Sequence, residues 1–220
     1  MSDQKQFSLG FDQAIVNTGI GILSVDNTVN KLKYEHSELF SSKFTWGAKS
    51  DAYILLEQGA YLKKILNKWS EEGDIKSICI EGVAFGSPGG ASSRGAIFGL
   101  FITTCLRYSD VLVVPPMSMK KFVTNDGHAK KDAIKAVIHP RYNLKDLKRK
   151  IWDDEHDALG LAEMGYYAWK IIYEGAGSIK KELQPYQLDV LWNETLNVNK
   201  LPKGLCNRVD EFYLRRVQSA

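Results

Sequence analysis

The sequence of 220 residues predicts an α/β fold in which a mixed β-sheet carries helices on its faces. Three strand-like runs follow one another near the amino terminus, which is typical of an antiparallel meander. From residue 49 onward, helical and strand-like segments alternate, which indicates parallel strands joined by crossover helices. The length and the absence of low-complexity tracts suit one sizeable domain plus an extension.

The first three strand candidates lie within the first 40 residues. The first, "FSLGF" at 7–11, ends at Asp12, and the "NTG" at 17–19 looks like a turn. The second and third candidates are "IGILSVD" at 20–26 and "KLKYEHSELF" at 31–40. Short runs of this kind, separated by turn residues, favour antiparallel neighbours in one sheet.

The remainder of the domain alternates helix and strand. Apolar residues recur at helical spacing over 49–70, which predicts a first helix that ends at "EEGD". The run "SICIEG" at 77–82 is a strand that ends near Glu81, and a glycine-rich loop leads from it into the apolar helix "AIFGLFITTCLRY" at 96–108. The last strand, "VLVVPP" at 111–116, is stopped by two prolines.

The less regular residues 175–220 are expected to form an extension that packs on the domain of residues 1–174 or lies at a dimer interface, with "CNRVDEFYLRRV" as its last helix. The first residues lack the apolar stretch of a signal peptide, and no apolar run approaches the roughly 20 residues of a membrane helix. We therefore expect a soluble, intracellular protein, in the cytoplasm of a bacterium or of a cell infected by a phage or virus. The widely spaced Cys79, Cys105 and Cys206 are expected to be buried, inert thiols.

Positive charge is concentrated in one segment, although the net charge of the whole chain is only +3. Residues 118–151 contain ten Lys or Arg residues against three Asp. Such a segment suits contact with the phosphate backbone of a nucleic acid, which carries little base information. The alternative is a set of solvated helix faces, the more common use of a charged run.

Carboxylates recur where predicted elements begin or end. Asp12 and Glu81 close two strands, and the run "WDDEHDALGL" at 152–161 opens an apolar helix with several acidic residues. Asp154 and Asp157 share a helical face at i, i+3, and Asp153 pairs with Asp157 at i, i+4. Acidic residues in a first helical turn also cap exposed amides and complement the helix dipole, so this ordinary explanation remains open.

If these carboxylates converge, their repulsion requires neutralising cations. Mg²⁺ prefers hard oxygen ligands and keeps positions for water and phosphate oxygens. Two such ions roughly 3.5–4 Å apart can activate a water and stabilise the leaving oxygen of a phosphodiester. The predicted chemistry is phosphodiester hydrolysis.

Four motifs, in this order and spacing, carry a resemblance to a known family. They are "FSLGFDQAIVNTGIGILSVD", "ICIEG", "KKFVTNDGHAKKDAIKAVI" and "DDEHDALGLAEMGYYAW". Over residues 7–174 the chain resembles the RuvC family of Holliday junction resolvases, of the ribonuclease H-like superfamily. The resemblance implies a five-stranded mixed sheet, antiparallel over its first three strands and parallel in the rest, and a homodimeric endonuclease, dependent on Mg²⁺ or Mn²⁺, that leaves 5′-phosphate ends on branched DNA.

The resemblance also implies roles for individual residues. Asp12, Glu81, Asp154 and Asp157 become the catalytic ligands of two metal ions, and Lys131 becomes a catalytic cation at the scissile phosphate. Phe85 is the one aromatic candidate for a wedge in the junction, although a buried Phe at a strand end is an equal alternative. The residues implied in DNA binding are Lys120, Lys121, Lys130, Lys131, Lys135, Phe85 and Arg94.

Other functions share parts of this pattern. A ribonuclease H-type enzyme or a flap or fork nuclease would use the same fold and metals on another substrate. A non-catalytic protein that binds DNA junctions is less favoured, because the carboxylates would repel its ligand. An ATPase of the actin or sugar-kinase type would need a duplicated second domain, for which a chain of this length has no room.

Overall fold

The computed structural model describes residues 4–26, 31–44, 51–83, 91–175, 179 and 181–195. The strands are β1 (Gln6–Gln13), β2 (Asn17–Asp26), β3 (Lys31–Ser41), β4 (Asp74–Glu81) and β5 (Val111–Val114). The helices are α1 (Asp51–Glu72), α2 (Ala91–Cys105), α3 (Pro116–Thr124), α4 (Lys131–Arg141), α5 (Asp153–Glu174) and α6 (Pro185–Thr195), with a 3-10 turn at Leu144–Asp146.

The strands form one five-stranded sheet in the order β3-β2-β1-β4-β5. β1 pairs antiparallel with β2, and β2 with β3, whereas β1–β4 and β4–β5 are parallel. The fold class predicted from the sequence, including the mixed pattern of strand directions, is therefore confirmed.

One local prediction is wrong: the "NTG" at 17–19 is not a turn. β2 already begins at Asn17, and the chain reverses over the preceding residues, where the Ala14 N–H donates to the Asn17 carbonyl at 2.8 Å. Gly19 pairs with Asp12 inside the β1–β2 ladder. Position 19 needs a glycine for another reason, which is the close approach of α5 to β2 at this point.

The two faces of the sheet carry separate hydrophobic cores. Alternate residues of β1, such as Phe7, Leu9 and Phe11, pack under α1 and α2. The opposite face is covered by α5, with α3, α4 and α6 around it. Because side chains alternate along a strand, Asp12 in β1 and Glu81 in β4 both lie on the face that α5 covers.

Three glycines on that face let α5 lie directly on the strands. A Cβ atom on Gly10 would lie 1.9 Å from the Ala158 carbonyl oxygen, and one on Gly19 would lie 2.0 Å from the Asp154 carbonyl oxygen. A Cβ on Gly21 would lie 2.5 Å from the Leu159 nitrogen. Any larger residue here would push the helix away, so the glycines determine how closely the first turns of α5 approach β1 and β2.

The helices α3, α4 and α6 were not predicted from the sequence, and α6 ties part of the extension to the domain. Val190 and Leu191 of α6 belong to the same core as α5, and the Gln187 side chain donates to the Phe122 carbonyl at 3.1 Å. The fully buried Lys170 of α5 pairs with Glu182 at 2.9 Å. The domain boundary at residue 174 stays a prediction, and the helix predicted at 206–217 lies outside the described residues.

Two further observations concern the cysteines and the apolar length of the helices. Cys79 and Cys105 are buried free thiols, as predicted, while Cys206 lies outside the described residues. None of the described helices is long and apolar enough to cross a membrane.

Candidate active site

Four carboxylates predicted from the sequence meet beside the carboxyl ends of β1 and β4. Asp12 is the penultimate residue of β1 and Glu81 the last residue of β4, and these strands are parallel neighbours. The first turns of α5 add Asp154 and Asp157. One oxygen each from Asp12, Asp154 and Asp157 lies within 4.8 Å of the others. Glu81 is not among these three, but it lies close enough to Asp12 for the two carboxylates to affect each other's ionisation.

The convergence of like charges in a partly dry site perturbs their ionisation. Burial, with the field of Glu81, raises the pKa of Asp12 well above its ordinary value. Burial and the repulsion of Asp12 raise the pKa of Asp157 to about 7. Burial also raises the pKa of Glu81, with Asp157 adding to the effect. Each shift has the direction expected of carboxylates held close together without enough positive charge.

Two lysines supply part of the missing positive charge. The Lys131 ammonium, at the start of α4, donates a hydrogen bond to Asp154 Oδ1 at 2.7 Å. Burial opposes its charge, but the bond to Asp154 and the fields of Asp157 and Asp12 outweigh that effect and raise the pKa of Lys131. The charge of Lys120, on α3, opposes the rise in the pKa values of Glu81 and Asp157 without cancelling it.

The carboxylates fit a divalent cation that takes hard oxygen ligands. Within the described part of the chain, Asp157 Oδ1 is buried and accepts no hydrogen bond. Buried carboxylate oxygens are normally satisfied, so an atom of this kind beside two further carboxylates is suited to a metal ligand. The raised pKa values of Asp12, Glu81 and Asp157 also fit a cation site, because a bound cation would remove the repulsion between these carboxylates.

The two helical registers considered from the sequence are now distinguished. Asp154 and Asp157, at i, i+3, face Asp12, whereas Asp153 is exposed and outside the group. Glu155 caps the start of α5, so the ordinary explanation of an acidic first turn applies to this residue. The Glu155 carboxylate accepts the Trp152 backbone N–H at 3.0 Å and is completely buried.

Glu155 also anchors the start of α5 to the edge of the sheet. It pairs with Arg149 at 2.6 Å and accepts a hydrogen bond from the Ser37 hydroxyl of β3 at 2.7 Å. Burial opposes the ionisation of Glu155, but these donors outweigh it and lower its pKa. The sequence analysis missed Glu155 and Arg149, since a carboxylate between catalytic candidates carries no sign of its own partner.

The basic segment divides into cations with internal partners and cations open to solvent. Arg141 makes a two-bond contact with Glu163, at 2.6 and 2.7 Å, and Arg149 is held by Glu155. Neither arginine is therefore a simple solvated charge. Lys121, Lys130 and Lys135 are exposed on α3 and at the start of α4, and their part in DNA binding stays a prediction.

The remaining predicted site residues have separate outcomes. Phe85 lies outside the described residues, so the wedge prediction stays a prediction. Arg94, in α2, lines a cavity next to Glu81. The sequence favours a surface position for His156, because its spacing turns it away from the face shared by Asp154 and Asp157, and this prediction is wrong. That residue is 1% exposed, and its ring contacts His139 at 3.1 Å and the Trp152 carbonyl at 3.0 Å, because α4 packs over this side of α5.

Comparison with known proteins places the chain close to one family. No protein-family model matches it. Two curated relatives, each a crossover junction endodeoxyribonuclease RuvC, come from two strains of Prochlorococcus marinus. The relative from strain MIT 9211 is 27% identical over 165 residues, which cover 74% of this chain and 98% of the relative. The relative from strain SARG is 26% identical over 160 residues, 72% of this chain and 97% of the relative.

Solved structures give the same result for the fold. Thermus thermophilus RuvC aligns with a TM-score of 0.57 and 20% identity, covering 74% of this chain and 94% of the other. The same protein in complex with a Holliday junction substrate aligns with a TM-score of 0.57 and 19% identity, covering 80% and 97%. The resemblance recognised from the motifs is confirmed, and the chain is RuvC-like in sequence and in fold.

Proposed function

We propose that this RuvC-like chain is a structure-specific endonuclease that resolves four-way DNA junctions by metal-dependent phosphodiester hydrolysis. It nicks two symmetric strands and leaves 5′-phosphate and 3′-hydroxyl ends. The observation that carries the proposal is the meeting of Asp12, Asp154 and Asp157 oxygens within 4.8 Å, with one buried oxygen of Asp157 lacking a partner in the described residues.

The four carboxylates Asp12, Glu81, Asp154 and Asp157 would hold two Mg²⁺ ions, for which Mn²⁺ can substitute. Ions bound there supply an activated water and stabilise the leaving oxygen of the phosphodiester. The carboxylates fix these positions from three separate elements, two strand ends and one helix start. A site assembled in this way is sensitive to small movements of α5.

Lys131 is proposed to contact the scissile phosphate as well as Asp154. Its side chain is 54% exposed, and one of its three N–H donors is used by Asp154. The other two donors are available to a phosphate oxygen, where a fixed positive charge would stabilise the charge that develops during hydrolysis. Lys120, Lys121, Lys130, Lys135 and Arg94 are proposed to bind the DNA backbone around it, and Phe85 to act at the junction centre.

Cleavage of two symmetric strands requires two active sites, and α2 offers a surface for a second copy of the chain. From Ala96 to Cys105 the helix is apolar apart from Gly99, Thr103 and Thr104. Its buried face, including Phe101, packs on the sheet, but a Cβ added at Gly99 would meet no atom within 4 Å, and Leu106, directly after the end of the helix, is 56% exposed. A helix that is hydrophobic all round is normally buried, so we expect a homodimer through this face.

The dimer is tested by sedimentation of the full chain. Leu106→Glu places a charge in the proposed interface and should convert the dimer to a monomer. Leu56→Glu changes the same residue type at a position of α1 that is 69% exposed, and should leave the dimer intact. A monomeric wild-type protein, or two variants that behave alike, would contradict the assigned interface.

The nuclease function is tested with labelled four-way junction, flap, linear duplex and RNA·DNA hybrid, each in Mg²⁺ or EDTA. We expect paired, symmetric, Mg²⁺-dependent nicks in the junction. Asp12→Asn should lower the rate by at least about 10²-fold, whereas Asp153→Asn, an exposed neighbour on the same helical turn as Asp154, should cleave like wild type. Cleavage of the hybrid alone would indicate the ribonuclease H-type function, and cleavage of the flap alone a flap nuclease. Binding of the junction without cleavage would indicate the non-catalytic protein.

A further inference from the structure

Trp152 is a large exposed side chain directly before the helix that carries Asp154 and Asp157. It is the N-cap residue of α5 and is 47% exposed. Small residues with a hydrogen-bond acceptor, such as Ser or Asp, are preferred at an N-cap, whereas an indole ring can only donate. The Trp152 side chain makes no cap hydrogen bond, and Glu155 completes the cap by accepting the Trp152 backbone N–H. Capping therefore does not explain why a tryptophan occupies this position.

Packing does not explain the ring either. Among the described residues, neither of the two hydrophobic cores includes Trp152. Its ring instead contacts the Lys150 ammonium, which lies 3.9 Å from the ring centroid. Lys150 is exposed, as are Lys148 and Arg149 before it. An accessible aromatic ring within a run of positive charge is the combination by which proteins bind unpaired nucleotides.

The backbone of Trp152 is held in place close to the predicted metal site. Its carbonyl oxygen accepts the Glu155 N–H at 3.1 Å and contacts His156 Nδ1 at 3.0 Å. Asp154 is two residues further on, so the Cα atoms of Trp152 and Asp154 are at most about 7 Å apart. Lys131, bonded to Asp154 at 2.7 Å, adds a cation at the same place. A DNA strand bound at Asp154 would therefore pass close to the Trp152 ring.

We infer that Trp152 and Lys150 bind one nucleotide of branched DNA whose base has left the duplex stack. The inference rests on the proposed function, because the DNA strand reaches Trp152 only by entering the site at Asp154. The indole ring stacks on the base, and the Lys150 ammonium contacts a neighbouring phosphate. Lys150 can leave the ring for that phosphate, since a cation–π contact at an exposed site is weaker than the stacking of a base.

This contact selects the shape of the DNA and not its sequence. Every base has a flat face, so stacking on an aromatic ring tolerates all four bases. A base at the exchange point of a junction costs less to unstack than a base inside a continuous duplex. The ring should therefore contribute to the binding of a four-way junction and contribute little to the binding of linear DNA.

The test measures the affinity of the full chain for a labelled four-way junction and for a linear duplex with the sequence of its arms, by fluorescence anisotropy in EDTA. Trp152→Ala should weaken binding of the junction by at least about 5-fold and binding of the duplex by less than about 2-fold. Trp152→Phe keeps a flat ring and should stay within about 3-fold of wild type. Trp192→Ala is the matched control and should bind like wild type, because Trp192 is 57% exposed and takes part in none of the cation–π contacts among the described residues.

The dependence of junction affinity on salt separates the ring from the charge. Trp152→Ala removes no charge, so its slope of log affinity against log salt should equal that of wild type. Lys150→Gln removes one phosphate contact and should reduce the slope by about 0.9. A wild-type slope for Lys150→Gln would overturn the role of Lys150. Urea unfolding should give Trp152→Ala the wild-type midpoint. If that midpoint falls, Trp152→Leu, which is apolar but has no ring, replaces it, and wild-type affinity of Trp152→Leu for the junction would refute stacking.

Each other outcome separates this inference from the proposed function. Unchanged junction affinity of Trp152→Ala, an equal loss on linear duplex, or a loss that Trp152→Phe shares in full overturns the inference, while Mg²⁺-dependent nicking of the junction by wild type leaves the nuclease function intact. A wild type that binds the junction and cleaves nothing in Mg²⁺ overturns the nuclease function, and the affinities still decide the role of Trp152. A wild type that binds the junction no better than the duplex overturns the inference alone if it nicks the junction, and both proposals if it does not.

Discussion

The substitution Gly19→Ala tests whether the close approach of α5 to the sheet sets the geometry of the active site. The added Cβ would lie 2.0 Å from the Asp154 carbonyl oxygen and 2.5 Å from its carbonyl carbon. Contacts under 3.0 Å are essentially never observed for real Cβ atoms, so the first turn of α5 must move by about 1 Å or more. Backbone atoms cannot avoid the methyl group by a rotamer change, and the movement falls on Asp154 itself.

Two magnitudes follow from this displacement. Overpacking of this kind typically costs about 1–3 kcal/mol of the free energy of unfolding. A misplacement of about 1 Å in a catalytic group can lower the rate by roughly 10²-fold. We therefore expect Gly19→Ala to remain folded at 25 °C, as a protein of ordinary stability would, and to lose far more activity than its fraction unfolded explains.

Urea unfolding followed by circular dichroism, and single-turnover nicking of a four-way junction, measure the two effects separately. Gly59→Ala is the matched control, because its Cβ would lie 3.3 Å from a flexible methyl of Leu100 and adds helix propensity to α1. The control should be neutral or up to about 1 kcal/mol more stable, with wild-type activity. If Gly19→Ala retains the stability and the nicking rate of wild type, the reasoning on the close approach is refuted.

Three further predictions concern charge. Asp157→Asn should stabilise the protein in EDTA by up to roughly 4 kcal/mol above pH 7 and by nothing below about pH 4, because a folded pKa of about 7 makes wild type lose stability as pH rises between these limits. Urea unfolding at pH 4 and 8 measures the difference, and equal stabilities of variant and wild type at pH 8 would contradict the prediction. Glu155→Gln should lower the free energy of unfolding by about 3 kcal/mol at pH 7. The difference from wild type should shrink as pH falls below 4.5 through the lowered pKa of Glu155, since wild type then loses the same ion pair. A difference in unfolding free energy that does not change with pH would argue against the ion pair. Lys135→Ala should reduce the slope of log affinity against log salt for junction DNA by about 0.9, whereas Arg141→Ala should leave the slope unchanged because Arg141 is paired with Glu163. Equal slopes for both variants would show that the division into paired and solvent-exposed cations is wrong.

The strands and their directions could be read from the sequence because they depend on local patterns. β1, β4 and β5 are short apolar runs bounded by turn residues, and the alternation of helix and strand after residue 49 requires parallel crossovers. α3 and α4 could not be read in the same way. They carry many charges, and their few buried residues, such as Ile134 and Ile138, have meaning only against α5.

The candidate site shows the same division. Asp12, Glu81, Asp154 and Asp157 could be predicted as site residues because carboxylates at strand ends and a helix start form a recognisable pattern. The glycine of "NTG" was misread as part of a turn, since a glycine that admits a helix backbone and a glycine that permits a turn look identical in one sequence. Gln13 carried no signal at all, because the hydrogen bond from its amide to the Glu81 carbonyl exists only once the end of β4 lies beside it.

The sequence by itself determined the mixed sheet and the set of carboxylates, because both follow from the identity of residues and their spacing along the chain. The tertiary structure alone decided which acidic residue does what. Asp154 and Asp157 face Asp12 at the proposed metal site, Glu155 caps and anchors the same helix, and Asp153 lies in solvent. The physical reason is that charge effects depend on distance and burial in space, and those are set where α5 crosses the glycines of β1 and β2.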